Sequence, residues 1–300
     1  MQGPFELVAP PGVEVAALAW QGPAGTKRSV IAKATFSMVS GEAARLADPA
    51  PLEACDLVPT APGLALDVEG TSQPGVSPAS PARLALFRGG PLLSLDLATE
   101  PGRAFATRAP SPAAQAAAQA LSARIERERR GGASRWADGP VAVPEPRPTD
   151  LHAAAPSGAI SGGLAGDEWL LLEHVVAGAP RLRTRLPGLR MHAELAGSRA
   201  ALSLEGLTVH AQRSLVSLVW RATWAAGAAL GRITLHVDGL PSSAPAGTVL
   251  LGAPAGSDTV VLATPPESRA AAVETALFDQ SALLRDARGA RAALPFASAA

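Results

Sequence analysis

Hydrophobic and polar residues alternate along much of the chain. In "SVIAKATFSM" (29–38), Val30, Ala32, Ala34, Phe36 and Met38 fall on one face of an extended segment, and Ile31, Lys33, Thr35 and Ser37 on the other. That is the period-2 pattern of a half-buried strand. "RLALFRGGPLLSLDL" predicts a hairpin, with strands over 83–87 and 92–97 joined by a turn at Gly89-Gly90. Further strands are predicted over 168–175, 181–186, 201–210, 214–224 and 232–238. In "SLVSLVWRATW" (214–224), Val216, Leu218, Trp220, Ala222 and Trp224 make an all-apolar face, which predicts core positions for both tryptophans. Arg221 emerges on the opposite face, where its fork can reach a carboxylate or a backbone carbonyl. Short strands separated by short breaks predict a mainly β fold, with antiparallel sandwich or barrel-like sheets and two peripheral α-helices.

Two segments switch to a helical pattern. "SPAAQAAAQALSARIERERRGG" has Ser111 placed as N-cap, Pro112 at the first helical position and arginines in the last turn. In "TPPESRAAAVETALFDQSALLRDARG", Thr264 and Glu267 fit a capping box, and Ala270, Val273, Leu277 and Leu284 form an apolar stripe. Between them, 131–163 is rich in Gly, Pro and Ala and reads as a long irregular connection. The organisation expected is a β-rich domain over 1–240, interrupted by a helix and irregular loop at about 108–163. A C-terminal extension over 241–300 would carry the second helix at about 265–288.

Composition narrows the function classes. Hydrophobic residues make up 47% and charged residues 17%, which favours a folded chain. The formal net charge of +0 gives no global pull towards nucleic acid or an anionic membrane. Cys55 is the single cysteine, which leaves no intramolecular disulfide and no cysteine-based zinc site. The N-terminal residues lack the pattern of a secretory signal, and no run reaches the ~18 apolar residues of a membrane helix. The expectation is a cytoplasmic protein with no nucleic-acid or membrane partner.

Catalytic patterns are not found in the local sequence. There is no G-x-S-x-G elbow, no P-loop and no G-x-G-x-x-G fingerprint. The five histidines, His152, His174, His192, His210 and His236, are too far apart for a local zinc pair. "RIERERR" reads as a solvated helix face. These readings predict no cofactor, no metal and no enzyme activity. The enzymatic alternative is a β-sandwich hydrolase with a site drawn from Asp167, Glu168, His174 and Arg221. A structural or carbohydrate-binding sandwich is a third reading.

Four segments together resemble a known family. They are the Lys-Ala-Thr-Phe strand in 29–38, the Asp-x-Val-Pro start and apolar-Asp-apolar run in 56–75, the Gly-Asp-Glu strand and Leu-Pro-Gly turn in 164–189, and the paired strands closing in Trp-Arg in 202–224. In this order they resemble the bacterial domain-of-unknown-function family 2169 over roughly residues 20–240. The chain departs from the family at Glu205-Gly206, where members usually have Asp-Thr, and over 100–150, where an Ala/Arg helix and a proline-rich loop replace a longer central region. The resemblance implies a cytosolic adaptor or chaperone that loads type VI secretion effectors onto a spike protein. Its signature positions, as candidate partner contacts, are Lys33, Phe36, Asp56, Asp67, Gly70, Gly166, Asp167, Glu168, Pro187, Gly188, Trp220 and Arg221. Oligomeric state is left open at this level.

Overall fold

A computed structural model describes residues 6–22, 24–59, 64–76, 79–105, 112–131, 141–143, 164–195, 198–225, 232–239 and 247–249. The fold is mainly β, as the alternation implies. Its largest sheet has the order β8-β5-β14-β15-β3-β2-β9. These are β8 (Ala104–Phe105), β5 (Ala65–Thr71), β14 (Ser203–His210), β15 (Leu215–Ala225), β3 (Gly25–Ser37), β2 (Val13–Gly22) and β9 (Val141–Ala142). The short β4 (Arg45–Leu46) pairs with β3 beside that path. A four-stranded sheet follows the order β11-β10-β6-β7, from β11 (Ala179–Arg185), β10 (Trp169–Val176), β6 (Ala82–Phe87) and β7 (Pro91–Ala98). A five-stranded sheet follows β13-β12-β16-β1-β17, from β13 (Ser198–Ala201), β12 (Arg190–Leu195), β16 (Arg232–Asp238), β1 (Glu6–Ala9) and β17 (Gly247–Val249). Most neighbours are antiparallel, but β14 with β5, β1 with β16 and β2 with β9 run parallel.

One hydrophobic core joins all three sheets. It takes Val30, Ala32, Ala34 and Phe36 from β3, Val216, Leu218 and Trp220 from β15, Leu170 and Leu172 from β10, and Ile233 and Leu235 from β16. Trp224 packs against it partly buried, so both tryptophans of "SLVSLVWRATW" face the core as their alternation requires. The hairpin forms from β6 and β7, with Gly89 at φ 67° in the turn. That left-handed conformation suits a residue without Cβ.

Three expectations change. The half-buried strand over 29–38 is covered on both faces, because Ile31, Lys33 and Thr35 on the second face are also buried. That face carries a second core of Ala16, Leu18, Trp20, Ile31, Val219, Leu57, Val58, Leu121 and Ile125. It is roofed by the short α1 (Ala54–Leu57), not read from the sequence, and by α2 (Pro112–Gly131), which was. The strand over 201–210 forms as β14 over Ser203–His210, and only its first residue, Ala201, belongs to another strand, β13, in a different sheet. The chain passes from β13 to β14 at Leu202, whose N–H donates to Met191 O at 2.8 Å. The helix at 265–288 lies outside the described residues, as do Ser111 and all of the 131–163 connection except Gly131 and 141–143.

Candidate functional site

The second face of the large sheet buries charge as well as apolar surface. β3 and β15 are antiparallel neighbours with Lys33 opposite Val219 and Ile31 opposite Arg221. Lys33 and Arg221 therefore stand on the same face, one strand apart. Lys33 is 1% exposed and Arg221 3%. Each cation needs partners close by, because an unpaired buried charge costs several kcal/mol, on the order of 3–5.

The partners come from α1 and the turn before it. Lys33 Nζ donates to Asp56 Oδ2 at 2.8 Å and to Pro51 O at 3.2 Å, with Glu53 Oε1 at 3.7 Å. Asp56 Oδ2 also accepts the Glu53 N–H at 2.8 Å, which forms the capping box of α1. Arg221 reads the other end of the same helix. Its Nη2 donates to Asp56 O at 2.7 Å and Val58 O at 3.1 Å, and its Nη1 to Leu57 O at 3.4 Å. A helix of four residues cannot satisfy its own terminal carbonyls, and the guanidinium fork supplies those donors. Nε of Arg221 donates to Glu205 Oε2 at 2.9 Å.

Glu205 reaches Arg221 through a backbone irregularity. Leu204 lies opposite Trp220 and Gly206 opposite Val219, so Glu205 is the extra residue of a β-bulge. A Cβ at Gly206 would sit 3.2 Å from Val219 Cβ, which makes a small residue fit best there. Burial pushes the Arg221 pKa down, while Glu205 and Asp56 pull it up. Three signature positions from three separate segments, Lys33, Asp56 and Arg221, thus meet in one charged clasp that fixes α1 to the sheet. Asp67, on β5 opposite Thr208, lies farther across the sheet and is half-buried.

A second clasp gathers the signatures of 164–189. Both oxygens of the buried Glu168 carboxylate accept backbone N–H groups, Ala165 at 2.7 Å and Gly166 at 2.8 Å. The Gly188 N–H donates to Gly166 O at 2.6 Å, and the Leu186 N–H to Glu168 O at 2.8 Å. Gly166 has φ 84° and Gly188 φ 74°. The Gly-Asp-Glu and Leu-Pro-Gly turns, the latter containing Pro187, are therefore two halves of one structure. Asp167 points to its rim, 3.4 Å from both Arg88 Nε and Arg185 Nη2. The remaining signatures lie elsewhere in the fold. Phe36 and Trp220 are core residues, and Gly70 pairs with Phe105 at the margin of the large sheet.

The residues of the hydrolase alternative are not brought together. Glu168 precedes β10 and His174 is its sixth residue, roughly 20 Å along a strand at about 3.3 Å per residue. Arg221 is engaged with α1 on the large sheet. A different arrangement, missed by sequence reasoning, resembles a catalytic triad. Ser217 Oγ lies 3.5 Å from His210 Nε2, and His210 Nδ1 contacts Glu69. Ser217 also lies 3.1 Å from Thr35 Oγ1, which accepts the Ala50 N–H at 3.3 Å. Ser217 is fully buried in mid-strand, unlike a nucleophile raised on a strand-to-helix elbow. These groups satisfy one another across the sheet, as buried polar groups must. The spacing of Glu69, His210 and Ser217 over three strands gave no local signal.

Among the described residues, no group of three or more His, Cys, Asp or Glu side chains is placed to hold a metal ion. No described helix is long and apolar enough to cross a membrane.

Comparison with known proteins adds one finding. No curated protein and no solved structure matches the chain. A family model matches residues 94–221, a stretch that begins within β7, holds α2 and the clasp around Glu168, and ends on Arg221. The signatures at 29–38 and 56–75 lie before it. Over residues 94–221 the chain is similar to the bacterial family DUF2169, described as an uncharacterized protein conserved in bacteria.

Proposed function

We propose that this protein is a non-enzymatic adaptor, a rigid β scaffold that holds a secretion effector against a spike protein in the cytoplasm. One observation carries the reading. The charged signature residues Lys33, Asp56, Glu168 and Arg221 are occupied in buried contacts with backbone and with each other. Their chemistry goes into fixing α1 and the turns beside β10, which suits a protein whose task is to present a shaped surface. Partner recognition would then fall to the exposed rims of those two clasps. The identity of the partners comes from the resemblance of the four segments to the adaptor family.

The test is affinity purification of the full-length chain from its source bacterium, with identification of what co-purifies. The adaptor reading expects an effector and a spike component among the proteins recovered. Purification that recovers neither, from cells expressing the secretion machine, removes the reading.

A further inference from the structure

The sheet edges of this protein are unequal. An open edge presents unpaired N–H and C=O groups to any other strand, and proteins shorten, cover or bend such edges. Among the described residues, β13, β17, β8 and β9 are edge strands of two to four residues. The longer β11 is covered by residues 41–44: Gly41 N–H donates to Arg183 O at 2.7 Å and Ala44 N–H to Arg185 O at 2.8 Å. β7 differs. It has eight residues and, among the described residues, pairs only with β6. Its two bulges fall near its ends, and Leu93–Asp96 between them is regular.

The side chains of β7 are poorly matched to an edge facing water. Leu93 and Leu97 pack against the main core but are only half-buried. Leu92 is 39% exposed, an outlier among the large apolar side chains described. The one charge on the strand is Asp96, which pairs with Arg83 at 2.8 Å. The strand also reads alike in both directions. "LSLDL" (93–97) has leucines at its centre and ends, with Ser94 and Asp96 placed symmetrically about Leu95.

We propose that two copies of this chain pair through β7, antiparallel, about a two-fold axis at Leu95. In that register Leu95 faces itself and Leu93 comes opposite Leu97 of the second copy, the bulge residue at the end of the regular stretch, so the core side of both sheets is extended at its centre. On the other side Ser94 faces Asp96 of the second copy, a hydroxyl against a carboxylate. A register centred on Ser94 would set Leu92 against Asp96, and one centred on Asp96 would oppose two like charges. An edge of this length makes an interface below the ~1,200 Å² of stable complexes, so the dimer is weak and concentration-dependent. It is an isologous contact, closed by its own symmetry.

Ser94 is exposed, so its substitution leaves the fold intact, and two substitutions of opposite charge give the test. Sedimentation of the full-length protein from about 1 to 100 µM should show a monomer–dimer equilibrium, the range that a small interface implies. Ser94→Asp places two like-charge pairs across the axis and should weaken association roughly threefold to thirtyfold. Ser94→Lys places two opposite-charge pairs there and should tighten it by a similar factor. Thermal melting of each variant at low concentration checks that the monomer is unchanged. A monomer throughout the range overturns the proposal and leaves the β7 edge to an extended segment of another protein. A dimer that weakens with both substitutions, or responds to neither, overturns the interface or its register.

Discussion

Truncation of Arg221 to alanine is the sharpest test of the clasp beneath α1. The wild-type guanidinium donates to Glu205 at 2.9 Å and to the carbonyls of Asp56, Leu57 and Val58 at 2.7, 3.4 and 3.1 Å. Alanine removes all of these donors. Breaking one side of a buried ion pair costs about 3–5 kcal/mol. Each carbonyl left unpaired would add ~1–3 kcal/mol if it stayed dry. Two effects oppose a simple sum. Glu205 is 23% exposed at its side chain and can turn to water, and the variant no longer carries the desolvation cost that lowers the Arg221 pKa. The net expectation is a loss of about 4 kcal/mol, or a fall in Tm of roughly 8–16 °C for a domain of this size.

The assay is thermal and urea unfolding followed by tryptophan fluorescence, since Trp20, Trp169 and Trp220 are all buried. Arg221→Lys should fall between, losing about 2 kcal/mol. Its ammonium keeps the charge but cannot span Glu205 and three carbonyls at once. A double-mutant cycle with Glu205→Gln should show the two substitutions coupled, because they share one bond. An Arg221→Ala protein that melts within ~1 °C of wild type would falsify the structural role and return Arg221 to the set of partner contacts.

Three further outcomes follow from the same geometry. Gly188→Ala should destabilise by about 1–2 kcal/mol, read from urea midpoints, because φ is 74° and the new Cβ meets Asp167 Cβ at 3.3 Å; an unchanged midpoint would count against the paired-turn account. Glu168→Gln should cost about 1–3 kcal/mol, since an amide cannot accept on both sides from the Ala165 and Gly166 N–H groups; hydrogen exchange at those two amides should quicken with it. A fluorophosphonate probe should leave the native protein unlabelled at Ser217, which is buried and hydrogen-bonded to Thr35; labelling that disappears in Ser217→Ala would establish a reactive serine and remove the scaffold reading.

The core-facing half of the fold was legible because one rule governs it. Where one face of a strand meets the core and the other carries polar groups, period 2 reports the strand directly, as over 30–36 and 216–224. The same rule hides β2. Both of its faces are apolar, with Val13, Val15 and Ala17 in the main core and Ala16, Leu18 and Trp20 in the second, so no alternation remains to detect. The break at Leu202 escaped for a related reason: β13 and β14 alternate in phase, and only their partners, β12 and β15, show that they belong to different sheets.

The polar faces misled in a more instructive way. Lys33, Thr35, Ser217 and Arg221 look like the water side of two strands, yet all four are buried. A polar residue in mid-strand marks a water-facing side only when nothing packs above it. Here the cover is α1, the segment before it and α2, and the polar groups are what hold that cover down. Lys33 is matched by Asp56, 23 residues later, and Arg221 by carbonyls more than 160 residues earlier. Local pattern carries no information at that range. The resemblance to a family nevertheless singled out Lys33, Asp56 and Arg221 one by one, from segments with no apparent connection. Their meeting in a single clasp gives those marks a common physical cause: each helps fix α1 to the sheet, Lys33 through the Asp56 carboxylate and Arg221 through the carbonyls of Asp56, Leu57 and Val58.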